Sequence, residues 1–197
     1  MSLKKITNDS IIIILIFIIV GGFYLLFEYD NQLVSGVSVL PNSTASNLSL
    51  YQNSSFGIRI QYPSEWKQIE DFQGSWFRNT NESVNVRAES IIFPSGSLDD
   101  LTTRQLNLTK HQFPGQKVIE SNKTTIGDNY TAHKIVFTFP EEPNDPRKIL
   151  FKEMQVLTLN GTRAFIISYF TRADSYDYYL PVIQKIIDSF RITPISS

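Results

Sequence analysis

Side chains able to do chemistry are scarce in this 197-residue chain. There is no cysteine, which removes thiolate nucleophiles, disulfides, zinc fingers and iron–sulfur ligation together. The two histidines, His111 and His133, have no second histidine or carboxylate at ligand or triad spacing. His133 falls in a strand pattern with Lys134 on the opposite face, which reads as a solvent-facing or core-edge residue. Asp99 and Asp100 sit where a helix should begin, and negative charge there answers the helix dipole without any catalytic role. Glu141, Glu142 and Asp145 lie in a charged, proline-containing loop. They suit weak Ca2+ binding at most, because the spaced Asp/Asn ligands, glycine and closing glutamate of a calcium loop are missing. Glu65 and Asp177 form no recognisable acid/base pair for glycoside cleavage. Neither a nucleophile elbow, an HExxH motif nor a phosphate loop occurs. The expectation is a binding protein rather than an enzyme, with no catalytic residue, metal or cofactor assigned.

Aromatic residues are the better candidates for contact with a partner or ligand. Trp76 and Phe77 sit in the loop-like Gln73-Gly74-Ser75 stretch, and Tyr178 and Tyr179 crowd a helix start. Tyrosine and tryptophan suit binding surfaces because each joins a rigid apolar body to a polar tip. Trp66 and Tyr176 read instead as core.

The elements that must position these residues begin with a membrane segment. Ile11 to Phe27 is an uncharged apolar run of 17 residues, about 25 Å long as a helix. Lys4 and Lys5 precede it and Glu28 and Asp30 follow, which places residues 1–10 in the cytoplasm and the remainder outside. The run is longer than a signal-peptide core, and only Val34-Ser35-Gly36 loosely resembles a cleavage site, so an uncleaved anchor in the lipid bilayer is favoured. Residues 28–50, rich in Ser, Asn and Gly, read as a flexible stalk. Nine of the 13 asparagines open Asn-x-Ser/Thr triplets, where about two would arise by chance. Asn8 is on the cytoplasmic side. The other eight, Asn42, Asn47, Asn53, Asn81, Asn107, Asn122, Asn129 and Asn160, follow the apolar run, and the excess points to a glycosylated exterior domain. Many sequons without cysteine fit an archaeal surface better than a eukaryotic secretory route. The formal net charge of −1 leaves no footprint for nucleic acid.

Residues 51–193 form one globular domain, with 194–197 as a tail. Alternating apolar residues mark strands at Phe56 to Tyr62, Val84 to Phe93, Tyr130 to Phe139, Ile149 to Leu159 and Arg163 to Thr171, with a weaker one over Lys117 to Ile126. Tyr62-Pro63-Ser64-Glu65-Trp66 reads as a turn, and Asn160-Gly161 as a hairpin. A helix is expected over Asp99 to His111. A second, capped by Asp174 or Ser175, carries Tyr176, Leu180, Ile183, Ile187 and Phe190 on one face, and Pro181 should kink or divide it. That order gives an α+β domain, a mainly antiparallel sheet with helices on its faces.

Tyr51, Phe56-Gly57-Ile58 and Tyr62-Pro63-Ser64-Glu65-Trp66, followed at the far end by Tyr179-Leu180-Pro181-Val182-Ile183 and Ile187-Asp188-Ser189-Phe190, resemble the opening and closing segments of PsbP-like domains. The likeness covers about residues 50–192. It implies the Mog1/PsbP fold, an α/β/α sandwich around about six antiparallel strands, shared by the photosystem II subunit PsbP and a Ran-binding protein. It also implies a non-enzymatic binding or assembly role at a membrane, here of the membrane-anchored archaeal type with an unidentified protein partner at the outer face. The manganese, calcium and chloride association of the photosynthetic member does not carry over, since no matching ligand set is visible. A glycan or small-ligand module using the aromatics is the alternative.

Overall fold

The structure, a computed structural model, describes residues 47–79, 84–141 and 149–195, which fall within one unit, Ser43–Ser197. Among these residues the chain runs β1 (Leu48–Asn53), β2 (Ile58–Pro63), β3 (Lys67–Glu70), β4 (Gly74–Asn79), β5 (Val84–Ile92), α1 (Leu98–Gln112), β6 (Lys117–Ile126), β7 (Tyr130–Pro140), β8 (Leu150–Asn160), β9 (Arg163–Arg172), α2 (Tyr176–Asp188) and β10 (Arg191–Ile192). Seven strands make one sheet in the order β3-β4-β5-β9-β8-β7-β6, every pair antiparallel. A second sheet, β1-β2-β10, is also antiparallel.

The expected count of about six strands is therefore corrected to seven in the main sheet, with three more in a small one. The strands without a sequence signal are short or carry small residues. β4 occupies the Gly-Ser-Trp-Phe stretch read as a loop, and β1 begins at Leu48, inside the stretch assigned to the stalk. The expected span (residues 11–27) and the cytoplasmic segment (1–10) lie outside the described residues, as do residues 28–46 of the stalk. Among the described residues no helix is long and apolar enough to cross a membrane.

Side-chain alternation sorts the main sheet into two faces. One carries the aligned row Phe77, Val86, Tyr169, Met154 and Val136 across β4, β5, β9, β8 and β7. Onto this face α2 lays Tyr176, Tyr179, Val182, Ile183, Ile186 and Ile187, and β2 adds Ile58 and Ile60 to the same core. The buried face differs from the five-residue one expected: Tyr179, Val182 and Ile186 are enclosed with Tyr176, Ile183 and Ile187, Leu180 is only half-buried, and Phe190 is enclosed but lies beyond the end of the helix. α2 is also undivided: Pro181 removes one backbone bond, but packing against β9 and β2 holds the helix as one element.

α1 covers the opposite face over β7 and β8. It starts in a capping box, in which Asp100 N–H donates to Ser97 Oγ (3.1 Å) and Ser97 N–H donates to Asp100 Oδ2 (2.7 Å). Asp100 Oδ2 accepts from Ser97 N–H and also from Ser97 Oγ–H (2.8 Å), and these two bonds hold its carboxyl below the usual carboxylate range, which accounts for Asp100 at the helix start. At its other end Phe113 stacks on Phe139, 4.0 Å between centroids.

The β8–β9 hairpin forms as expected but one residue later. Asn160 pairs with Arg163, so the loop is Gly161-Thr162, with Gly161 at φ 60° in the first loop position, as a type II′ turn wants.

Ile183 sits fully inside the α2 core while Lys185 on the same helix is exposed. Ile183→Ala should lower unfolding stability by about 2–5 kcal/mol and Lys185→Ala by about 0.5 kcal/mol or less, read by denaturant titration.

Candidate functional site

The face under α1 is not uniformly apolar. Cross-strand register aligns Trp76 of β4, Arg87 of β5, Ser168 of β9, Gln155 of β8 and Ile135 of β7 in one row. The rows on either side bring Glu89 and Glu153 to the same face, since each lies two residues from Arg87 or Gln155. Arg87 is 3% exposed, and Glu89, Glu153, Gln155 and Trp76 are buried with it.

Burying a guanidinium requires opposite charge and full hydrogen bonding. Arg87 has both. Its Nε donates to Glu89 Oε2 at 3.0 Å, and Nη1 and Nη2 both reach the Asp71 carboxylate. Burial alone would lower the Arg87 pKa, but the Glu89 and Asp71 carboxylates reverse that and leave it raised. Asp71 reaches in from the β3–β4 turn, where its Oδ1 accepts from Gln73 N–H (2.9 Å) and Gly74 N–H (3.1 Å). Trp76 Nε1 donates to Asp71 Oδ2 at 3.2 Å, and the guanidinium carbons of Arg87 and Arg78 lie 4.8 and 5.2 Å from its ring centroid. Gly74 is needed where β4 passes β5, because a Cβ there would lie 2.0 Å from the Ala88 carbonyl oxygen.

Glu153 is the unusual member. It stands between Phe137 and Phe170 in the register and accepts from Gln155 Nε2 at 2.6 Å. Burial pushes its carboxyl up to about 7; the Gln155 bond opposes that, and the Glu89 charge adds to it. Gln155 Oε1 is buried without a hydrogen-bond partner among the described residues. The cluster can therefore hold charge and exchange one proton near neutral pH.

The sequence-derived candidates are dispersed. Trp76 belongs to this cluster, as a strand residue rather than a loop residue. Phe77, next along β4, points to the other face and is fully enclosed in the α2 core. Tyr179 is buried in that core too, whereas Tyr178 is 44% exposed, its ring edge-on to Tyr179. Of the sequons, Asn47, Asn107, Asn122, Asn129 and Asn160 are exposed and Asn53 is half-buried; Asn42 and Asn81 lie outside the described residues. His133 meets Ser121 Oγ at 2.8 Å, and His111 is exposed near the end of α1. Glu65 in the β2–β3 turn and Asp177 at the start of α2 are on different elements. Glu142 and Asp145 lie outside the described residues, and among those described no group of three His, Cys, Asp or Glu side chains is placed to hold a metal ion.

Asp71, Arg87, Glu89, Glu153 and Gln155 were not singled out by the sequence. The available signal was opposite or polar charge at i, i+2 inside a strand, Arg87 with Glu89 and Glu153 with Gln155, which alternation alone reads as a solvated face.

The family model described as PsbP-like protein matches residues 10–192. The chain belongs to the PsbP-like family. Its fold is likewise that of the Mog1/PsbP group. The structure of cyanobacterial PsbP (CyanoP) from Synechocystis superposes with a TM-score of 0.59 at 16% identity, covering 82% of this chain and 98% of that one. The Ran-binding protein Mog1p of Saccharomyces cerevisiae superposes at 0.54 with 8% identity, covering 74% and 95%. LpqN of Mycobacterium tuberculosis, involved in cell envelope biogenesis, superposes at 0.53 with 13% identity, covering 75% and 91%. At these identities the structural likeness concerns the fold alone. Among curated proteins none matches the sequence.

A carboxyl whose folded pKa lies above its unfolded value of 4.5 binds its proton more tightly in the folded chain. For this PsbP-like domain the Glu153 contribution is therefore greatest at or below pH 4.5, falls as pH rises toward about 7, and is flat above. The loss amounts to about 3 kcal/mol. Glu153→Gln keeps an acceptor for Gln155 and should abolish the fall, so that the variant gains on the parent at pH 8 but not at pH 4.5 in paired denaturant titrations. Asp71 and Glu89 are common to both proteins and cancel in the difference.

Proposed function

We propose that this PsbP-like protein is held at a membrane by residues 11–27, faces the exterior, and acts without catalysis by binding a protein partner or assisting assembly of a complex. The observation that carries the binding role is the end of the domain where β8 and α2 both begin. Leu150 and Tyr178 are exposed there, Lys152 and Asp177 supply charge of both signs on the same elements, and Arg172 and Asp174 add a further pair at the end of β9 and in the turn into α2. Lys152 reaches Asp177 at 3.4 Å and lies 3.9 Å from the Tyr176 ring centroid, and Leu150 C=O accepts from Ala173 N–H, so the surface is fixed rather than loose. Apolar and aromatic side chains among mixed charge are the composition of a protein-contact surface. The fold is compatible with that role, since it also serves a Ran-binding protein.

Support for the anchor is separate. It rests on the uncharged run, on Lys4 and Lys5 before it, and on a family match that begins at residue 10 and so includes that run. A glycosylated exterior rests on the eight sequons after it, and an archaeal source on the same sequons with no cysteine. The glycan or small-ligand alternative has less behind it, because Trp76 is spent on Asp71, Arg87 and Arg78.

Two measurements test the proposal. Protease added to intact cells should remove the domain, and full protection would reverse the topology. A photo-crosslinking residue at position 178 of the full chain in native membranes should give one discrete protein adduct that the same residue at the exposed position 65 does not. Equal labelling from both positions would remove the Tyr178 end as the contact surface.

A further inference from the structure

We propose that the folded domain selects among its own sequons, and that Asn129 and Asn160 are N-glycan acceptors while Asn53 and Asn107 are refused. The inference rests on the exterior placement proposed above and adds which sites are used. The motif requires an asparagine and a hydroxyl two residues on, so both side chains must be reachable at once. Asn160-Gly161-Thr162 meets this throughout: all three residues are exposed at the β8–β9 turn, and nothing lies within 4 Å of the Gly161 Cβ position. Asn129-Tyr130-Thr131 meets it at the β6–β7 turn, where Asn129 (φ 66°) and Thr131 are exposed.

The refused sites fail for different reasons. Asn53 has spent its carboxamide: Oδ1 accepts from Ser55 N–H (2.9 Å) and Phe56 N–H (3.3 Å), and Nδ2 donates to Glu70 Oε2 (3.1 Å). Asn107 is exposed, but it lies within α1 and its partner hydroxyl is sequestered. Thr109 is buried, its Oγ1 donating to Leu106 C=O (3.2 Å) and accepting from Gln116 Nε2 (3.0 Å). Asn122 falls between the two classes, exposed on β6 with its amide on Glu120 Oε1 (3.1 Å) and Thr124 half-buried.

In the transfer step the asparagine carboxamide nitrogen attacks the anomeric carbon of a lipid-linked glycosyl phosphate. An N–C bond forms, the C–O bond breaks with its electron pair leaving on the lipid phosphate, and one amide proton is lost to the medium. The two acceptors occupy neighbouring hairpin tips at one end of the sheet. The run of β8 from Leu150 to Asn160 sets that end about 33 Å from the Tyr178 end.

The test uses the full chain purified from membranes of its own host, digested and read as intact glycopeptides, so that deamidation at Asn160 is not counted as occupancy. Asn129 and Asn160 should be mostly occupied and Asn53 and Asn107 at least tenfold less. Thr131→Ala and Thr162→Ala should each delete one glycan without changing the melting profile. Occupancy of Asn53 or Asn107 equal to that of Asn160 overturns the selection and leaves the exterior reading standing. Bare peptides at every sequon overturn the proposal, and protease accessibility on intact cells then decides the topology separately.

Discussion

The pairing of β5 with β9 is the contact on which the rest of the domain depends. It runs in one register from Asn85 opposite Phe170 to Ile92 opposite Arg163, and it joins the β3–β5 segment to the β6–β9 meander. Side chains alternate with a period of two, so a slip of one residue would turn Val86 and Ala88 away from the α2 core and drive Arg87 and Glu89 into it. The register that builds the apolar core thus also places the charge cluster. Neither can be set independently of the other.

That coupling gives the buried cluster a role beyond its own energy. A buried ion pair is weak evidence of stability, because desolvation offsets much of the attraction. What the pair does here is penalise alternatives. Arg87 is satisfied only when β5 lies against β4 in the observed register, since Asp71 comes from the β3–β4 turn and is itself held by Gln73 and Gly74. Gly74 then lets β4 approach the Ala88 carbonyl. A turn, a glycine and a buried arginine therefore specify one hairpin together. Among the described residues Glu153 has no such anchor beyond Gln155, and its burial beside Phe137 and Phe170 makes protonation the less costly state below about pH 7.

The long elements of this fold were legible for physical reasons. β7 through β9 carry sustained apolar patterning, β6 is long but only weakly patterned, and both helices have polar starts and periodic apolar residues. The family resemblance was carried by segments around Trp66 and Ile183, which are core positions and hence constrained. What escaped was short or two-sided. β3 has four residues and β10 two, too few for any period to stand out. Arg87 and Glu89 looked like the wet side of a half-buried strand because alternation distinguishes two faces without saying whether the second meets water. Phe77 and Trp76 are neighbours in sequence and were read together, yet a strand sends them to opposite faces, one into the α2 core and one to the charge cluster.

The same burial pattern limits where a PsbP-like domain of this kind can meet anything else. β8 and β9 are enclosed on both faces for most of their length, and α2 turns Tyr179, Val182, Ile183 and Ile186 inward. A sheet buried on both sides cannot offer its central side chains to a partner without opening its core. Recognition is pushed to the ends and edges, where residues are released from the two-face rule. One end carries the tight turns, with Asn129 and Asn160 outward. The other carries the start of α2, where Tyr178 is turned out by the same helical period that turns Tyr179 in. An aromatic side chain is ordinarily drawn into a core. Here the two adjacent tyrosines cannot both follow, and the one left outside rests edge-on against its neighbour's ring, with an apolar body and a polar tip both presented to solvent.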